Sequence, residues 1–142
     1  MQVGIIIGSI REGRIGEQIG KWVHEIASQR EGEVSYELLD LKAFNVPLLT
    51  SPTHPMMAKK NYSDAQVQAW SDAIDACDAY VFVTPEYNHA VPGALKNAVD
   101  SLGAEWVGKP VGFIGYGAVG GVRAIENWCQ IVANFSMIGV RA

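Results

Sequence analysis

Three short stretches carry side chains that could do chemistry, and each directly follows an apolar run. The first is Gly8-Ser9-Ile10-Arg11-Glu12-Gly13-Arg14-Ile15-Gly16, behind Val3-Gly4-Ile5-Ile6-Ile7. It lacks the dinucleotide fingerprint, which needs glycine where Ile10 stands. Gly8 and Gly13 have the gap of a nucleoside-triphosphate loop, but that motif continues Lys-Ser or Lys-Thr, and here Arg14-Ile15 follows. Without that hydroxyl there is no magnesium ligand, so triphosphate chemistry is disfavoured. A metal-free phosphate fits what remains. Glycines let backbone N–H groups approach closely, a following helix presents its positive end, Ser9 offers a hydroxyl, and Arg11 and Arg14 offset charge. The alternative is that Ser9 caps a turn and both arginines are solvated.

The second stretch is Thr84-Pro85-Glu86-Tyr87-Asn88-His89, behind Ala79-Tyr80-Val81-Phe82-Val83. Pro85 stiffens the exit from the apolar run, Tyr87 offers a flat face, and Asn88 both donates and accepts. A planar heteroaromatic ligand suits this set. Equally, Tyr87 could cover the core while Glu86 and His89 face water. The third stretch, Gly115-Tyr116-Gly117-Ala118-Val119-Gly120-Gly121, has four glycines in seven residues. Its backbone N–H groups could line the edge of a ring, although a structural turn is the simpler reading.

These stretches must be held by a scaffold, and its pattern is legible. Residues 3–7, 79–84 and 111–115 are continuous apolar runs, as in strands buried on both faces; 33–41 and 137–140 are weaker strand patterns. Between them the period becomes helical. Ile15, Ile19, Trp22, Val23 and Ile26 fall on one stripe of a helix over 16–29. Ser63 and Gln66 form a capping box ahead of Val67, Trp70, Ala73, Ile74 and Cys77. Pro92 suits the first turn of a helix with Ala94, Leu95, Ala98, Val99 and Leu102 inward and Gly103 as its C-cap. Val122, Ile125, Cys129 and Val132 mark the last helix. Residues 41–62 hold three prolines without a period and read as a long loop. The β-α alternation implies a doubly wound parallel sheet with helices on both faces, forming one domain over residues 1–142. In such sheets ligands bind beyond the carboxyl ends of the strands, where all three stretches lie. A domain of this kind ordinarily closes with a helix, and none follows the last strand pattern before Ala142.

Bulk properties narrow the function. A net charge of −4 without a run of one sign argues against nucleic acid, and no apolar stretch reaches the roughly 20 residues of a membrane helix. The first strand starts almost at Met1, leaving no room for a signal peptide, so a cytoplasmic protein is expected. Cys77 and Cys129 sit among apolar neighbours and read as reduced core residues; His24, His54 and His89 share no metal-ligand spacing.

Together, Gly8-Ser9-x-Arg11, then Pro85-Glu86-Tyr87-Asn88-His89-x-x-Pro92-Gly93-x-x-Lys96-Asn97, then a glycine-rich loop resemble the NADPH-dependent FMN reductase family over the whole chain. The resemblance implies a flavodoxin-like five-stranded sheet of order 2-1-3-4-5. It also implies FMN as cofactor, NADPH or NADH as hydride donor, and a quinone, azo compound, chromate or similar small molecule as acceptor. A homodimer or homotetramer is implied as well. Carried over residue by residue, Ser9, Arg11, Arg14, Ile15, Gly16 and Glu17 resemble the phosphate site, with Arg11 the stronger arginine and Arg14 contributing its backbone N–H. Pro85, Glu86, Tyr87 and Asn88 resemble the segment along the flavin ring; Gly115, Tyr116 and Gly117 resemble the loop near its pyrimidine edge. The chemistry would reside on FMN, which accounts for the missing triad or carboxylate pair. Other readings of the same fold are a one-electron carrier of the flavodoxin type and a flavin-free regulatory module.

Overall fold

β1 (Gln2–Ile7) and β3 (Ala79–Pro85) pair with each other in the middle of the sheet, and successive side chains of both are buried on its two faces, which is why their sequences are apolar throughout rather than alternating. The computed structural model describes residues 1–140. The remaining elements are α1 (Gly16–Ser28), β2 (Ser35–Asp40), the single turn α2 (Leu41–Phe44), α3 (Ala65–Asp75), α4 (Gly93–Asp100), β4 (Pro110–Tyr116), α5 (Val122–Ala133) and β5 (Ile138–Gly139), with a 3-10 turn over Pro55–Met57. All four strand pairs are parallel and the order is β2-β1-β3-β4-β5, the flavodoxin-like order. The chain first winds outward from β1 to β2 and then returns across β1, so strand order switches between β1 and β3. The ends of β1, β3 and β4 converge there: Ile7 lies beside Val83, and Pro85 beside Tyr116.

Helices α3, α4 and α5 cover one face. Phe82 is at the centre, with the rings of Trp106, Phe113 and Trp128 edge-on at 6.0, 5.8 and 5.3 Å. Buried indoles need a partner for N–H. Trp70 donates to the Ala98 carbonyl (2.9 Å), Trp106 to the Val99 carbonyl (3.1 Å), and Trp128 to the Thr84 hydroxyl (3.0 Å). The segment over 41–62 is not the bare loop its composition suggests. Besides α2 and the 3-10 turn, it is tied down by Asn97, which donates to the Pro47 carbonyl and accepts from the Leu49 N–H. The fully buried Glu105 carboxylate accepts from the Tyr62 and Ser71 hydroxyls and the Gly103 N–H.

Several local expectations are corrected. On α1 the sheet-facing positions are Gly16 and Gly20, which let the helix settle onto β1; a Cβ on Gly20 would come within 2.5 Å of Ile7. The expected stripe lies one position round the helix: Ile15, Trp22 and Ile26 are about half exposed. The α5 stripe is displaced likewise, with Ala124, Trp128 and Val132 buried, Val122 exposed, and Cys129 exposed rather than in the core. The capping box at Ser63 does not form, because Asp64 is the N-cap and its carboxylate accepts from the Gln66 and Val67 N–H groups. A carboxylate binds the positive end of a helix more strongly than a hydroxyl. Pro92 is the residue before α4 rather than within its first turn, and α4 is C-capped by Ser101, not Gly103. Gly103 is needed for closeness instead: a Cβ there would meet the Met56 backbone at 2.7 Å. No helix among the described residues is long and apolar enough to cross a membrane, and β5 is the last element described.

Candidate functional site

Ser9 follows β1 by two residues and is 2 % exposed. Its hydroxyl is hydrogen-bonded to the phenol of Tyr87 at 2.9 Å, so the first and second chemical stretches meet directly. The Arg11 guanidinium lies 5.9 Å from the centre of the Tyr87 ring, a cation–π contact at the exposed rim. The carrying feature is Arg14. Its side chain is only 6 % exposed, with one terminal nitrogen on the Asp40 carboxylate (2.5 Å) and within 3.6 Å of Glu17. The other terminal nitrogen and Nε are buried and unpartnered. So is the hydroxyl of Tyr116, which reaches across from β4 to Gly16, where a Cβ would stand 2.3 Å from it. Burial pushes the Tyr116 phenol above its usual range, against a weaker opposing pull from the nearby Ser9 hydroxyl, which does not reach hydrogen-bonding geometry. Buried donors without partners are costly, about 1–3 kcal/mol each, and three in one place are the donor set an anionic ligand would satisfy.

The base of this cradle is the start of α1. Ile15 is its N-cap and supplies no side-chain cap, leaving the first-turn N–H groups free for an anion. Ile15 is 57 % exposed, so its backbone and not its side chain faces the cradle. The Glu17 side chain is likewise turned away. Its carboxylate is held by Lys21 at 2.7 Å and kept below the usual range by that hydrogen bond and charge.

The second stretch folds into a miniature hairpin. Tyr87 and Ala90 exchange both backbone hydrogen bonds at 3.0 Å, and the two residues between them, Asn88 and His89, have φ of +49° and +68°. Both central residues in the left-handed region is the pattern of a type I′ turn, which favours asparagine at its first position. The turn places the Tyr87 ring toward Ser9 and leaves Gly93 with open space beside it. The third stretch is packed backbone on backbone: a Cβ on Gly115 would meet the Gly120 carbonyl at 2.6 Å, and one on Gly121 the Tyr116 N at 2.8 Å. Gly117, Gly120 and Gly121 all have positive φ.

The model of the NADPH-dependent FMN reductase family matches residues 1–142. The chain belongs to that family. It is 40 % identical over 126 residues to an NAD(P)H-dependent FMN reductase of Nectria sp, covering 87 % of this chain and 63 % of that one. It is 30 % identical over 139 residues to a quinone reductase of Escherichia coli K12, covering 93 % and 69 %. Among solved structures, FerB of Paracoccus denitrificans, a flavoenzyme NAD(P)H:(acceptor) oxidoreductase, superposes with a TM-score of 0.77 at 25 % identity, covering 99 % of this chain and 75 % of that one. The chain thus spans less than two thirds of the length of the Nectria relative.

All thirteen positions singled out in the sequence come to the same end of the sheet, yet their emphasis changes. Arg14, not Arg11, has the buried guanidinium. Glu86 does not face open solvent; it is bonded to Arg123. Asp40 and Arg123 were not anticipated. Asp40 closes β2, the strand next to β1, and Arg123 follows the last glycine pair by two residues; neither position has a spacing signal of its own.

Proposed function

We propose that this protein is an FMN-dependent oxidoreductase that passes hydride from NAD(P)H to a quinone, azo compound, chromate or similar small acceptor, in ping-pong order. The observation that carries the reading is the set of three unpartnered buried polar atoms, Arg14 Nε, its free terminal nitrogen and Tyr116 hydroxyl, at the open end of α1. A phosphate monoester matches that donor set. Arg14 would donate to one of its oxygens from a free nitrogen, Tyr116 and Ser9 would donate from the side, and the N–H groups of Gly16 and Glu17 would meet it from below. Asp40 fixes the direction of the Arg14 guanidinium. FMN, when bound, supplies the hydride relay between donor and acceptor. Pro85, Glu86, Tyr87 and Asn88 would flank its ring through the small hairpin. The N–H groups of residues 115–117 would face the pyrimidine edge and stabilise negative charge there.

The test is an absorption spectrum of the purified protein with and without added FMN, followed by anaerobic stopped-flow mixing with each nicotinamide. Bound flavin that bleaches much faster than free FMN supports the reading. Bleaching no faster than free FMN would leave the one-electron carrier in its place, and protein that takes up no FMN would favour the flavin-free module.

We also propose that the chain assembles at least as a dimer. Leu48, Leu49, Met56 and Met57, on the segment between α2 and α3, are 78, 41, 38 and 69 % exposed, an adaptable apolar surface on one loop. Light scattering at micromolar concentration giving the mass of one chain would refute this.

A further inference from the structure

Glu86, beside the candidate site, is not a surface carboxylate. It is the first residue after β3, and its own N–H donates to the carbonyl of Tyr116, the last residue of β4, at 3.3 Å. Its side chain, 10 % exposed, does not point into the cradle. One oxygen accepts the backbone N–H of Arg123 and the other accepts the Arg123 guanidinium, both at 3.0 Å. Arg123 is the second residue of α5, whose own N-cap is Gly121, without a side chain to cap it. A residue of the second stretch therefore caps the helix that follows the third. The glycine loop is held at both ends by one amino acid: at Tyr116 through the Glu86 main chain and at Arg123 through its carboxylate. Between those anchors, Gly117, Gly120 and Gly121 all lie in the left-handed region, and one hydrogen bond, Gly120 N–H to the Gly117 carbonyl at 3.2 Å, crosses the loop. The Glu86 carboxylate thus ties the far end of the loop, at Arg123, to the residue that opens the hairpin at Tyr87–Ala90.

We propose that Glu86 is a positioning residue: by clasping Arg123 it sets the gap between the second and third loops, and hence the fit of the planar ring between them. This rests on the flavin reading above. The division of labour follows from geometry. Arg14, Ser9 and the start of α1 read the phosphate; the clasp acts on the ring, which FMN and riboflavin share. Glu86 also neutralises Arg123, so that the ring is reduced beside a paired charge rather than a bare cation.

The experiment uses apo-protein titrated with FMN and, separately, with riboflavin, following flavin fluorescence. Glu86→Ala should weaken both ligands by the same factor, about ten- to a hundredfold, the size expected for lost charge-assisted hydrogen bonds. Arg123→Ala retains the backbone half of the clasp and should cost less, again equally for both ligands. Glu86→Gln keeps the shape while leaving Arg123 unpaired; it should recover most of the affinity and shift the potential of the bound flavin positive. In ligand-free protein, amide exchange over residues 117–121 should be faster in Arg123→Ala than in wild type. Wild-type protein that binds neither flavin would overturn the parent reading. Wild-type binding with all three variants within twofold for both ligands, measured well below their melting temperatures, would overturn the clasp. So would a loss confined to FMN, which would place Glu86 in the phosphate site instead.

Discussion

Replacing Arg14 by alanine tests a reversal, since the family resemblance makes Arg11 the stronger arginine and gives Arg14 its backbone N–H alone. In the structure Arg14 presents two unpartnered buried nitrogens, whereas Arg11 stands exposed beside Tyr87. A hydrogen bond to a charged group contributes about 1.5–3 kcal/mol, and one between two charged groups lies at the upper end, about 3 kcal/mol. At 1.4 kcal/mol per factor of ten, that is a loss of roughly a hundredfold or more in FMN affinity. Arg11→Ala removes only an exposed charge and should cost less than about 1 kcal/mol, under roughly fivefold. Removing Arg14 leaves Asp40 without its cation, but that side chain is 31 % exposed and hydrates, so the apo-protein should remain folded. Riboflavin, lacking the phosphate, should bind Arg14→Ala and wild type alike. Arg14→Lys should recover the charge but not the fixed direction of the guanidinium, and fall between. Fluorescence titration of apo-protein at fixed ionic strength measures all of these. Equal losses for Arg14→Ala and Arg11→Ala, or equal losses of FMN and riboflavin in Arg14→Ala, would refute the assignment of the phosphate to the buried guanidinium.

The Ser9–Tyr87 bond should show as coupling: Ser9→Ala and Tyr87→Phe each lower stability by about 1 kcal/mol in urea unfolding, and the double variant by less than their sum. Gly20→Ala puts a methyl group within 2.5 Å of Ile7 and should destabilise the fold by about 1–3 kcal/mol, read as a lower Tm, with part of the loss recovered by adding Ile7→Ala. The Glu86 carboxyl is held below the usual carboxylate range; burial pulls the other way and is outweighed by hydrogen bonds from Arg123 and Ala124 and by the Arg123 charge. Its stabilising contribution is therefore complete above the unfolded-state value near 4.3 and lost as pH falls through the lower folded value. Acid titrations of Glu86→Gln monitored by circular dichroism should show a shallower fall of stability below about pH 4 than wild type.

Most of the scaffold could be read in advance because its physics is local. Continuous apolar runs mark strands covered on both sides, and the β-α alternation fixes parallel pairing. Where reading failed, two chemically adequate choices competed within one or two residues. Asp64 displaced Ser63 as a cap because both side chains accept hydrogen bonds and the carboxylate adds charge. On α1 the apolar residues looked like the inner face, but Gly16 and Gly20 allow the closer approach to β1, and closeness of backbones decided the orientation. The site divides in the same way. The loops and their glycines were visible because their composition is unusual. Which arginine is buried was not, since it depends on Asp40, 26 positions away along the chain and beside the first loop only after β2 has paired with β1. The same holds for Glu86 and Arg123, joined across 37 positions.

The three buried tryptophans also have an optical consequence. Trp70 and Trp106 emit from an interior without water, and Trp128 is tied by its N–H to Thr84, immediately before the second loop. The fourth, Trp22, lies half in solvent on α1. The protein thus carries two populations of natural fluorophore. One turns red only when the core opens. The other sits on the outer side of α1 and is already exposed to quenchers in the folded state. Trp128 ends at Thr84, at the foot of the second loop, and a chromophore bound at that loop and absorbing its emission would dim it by energy transfer. Occupancy of the site and integrity of the fold can then be followed in one unlabelled sample, at one excitation wavelength.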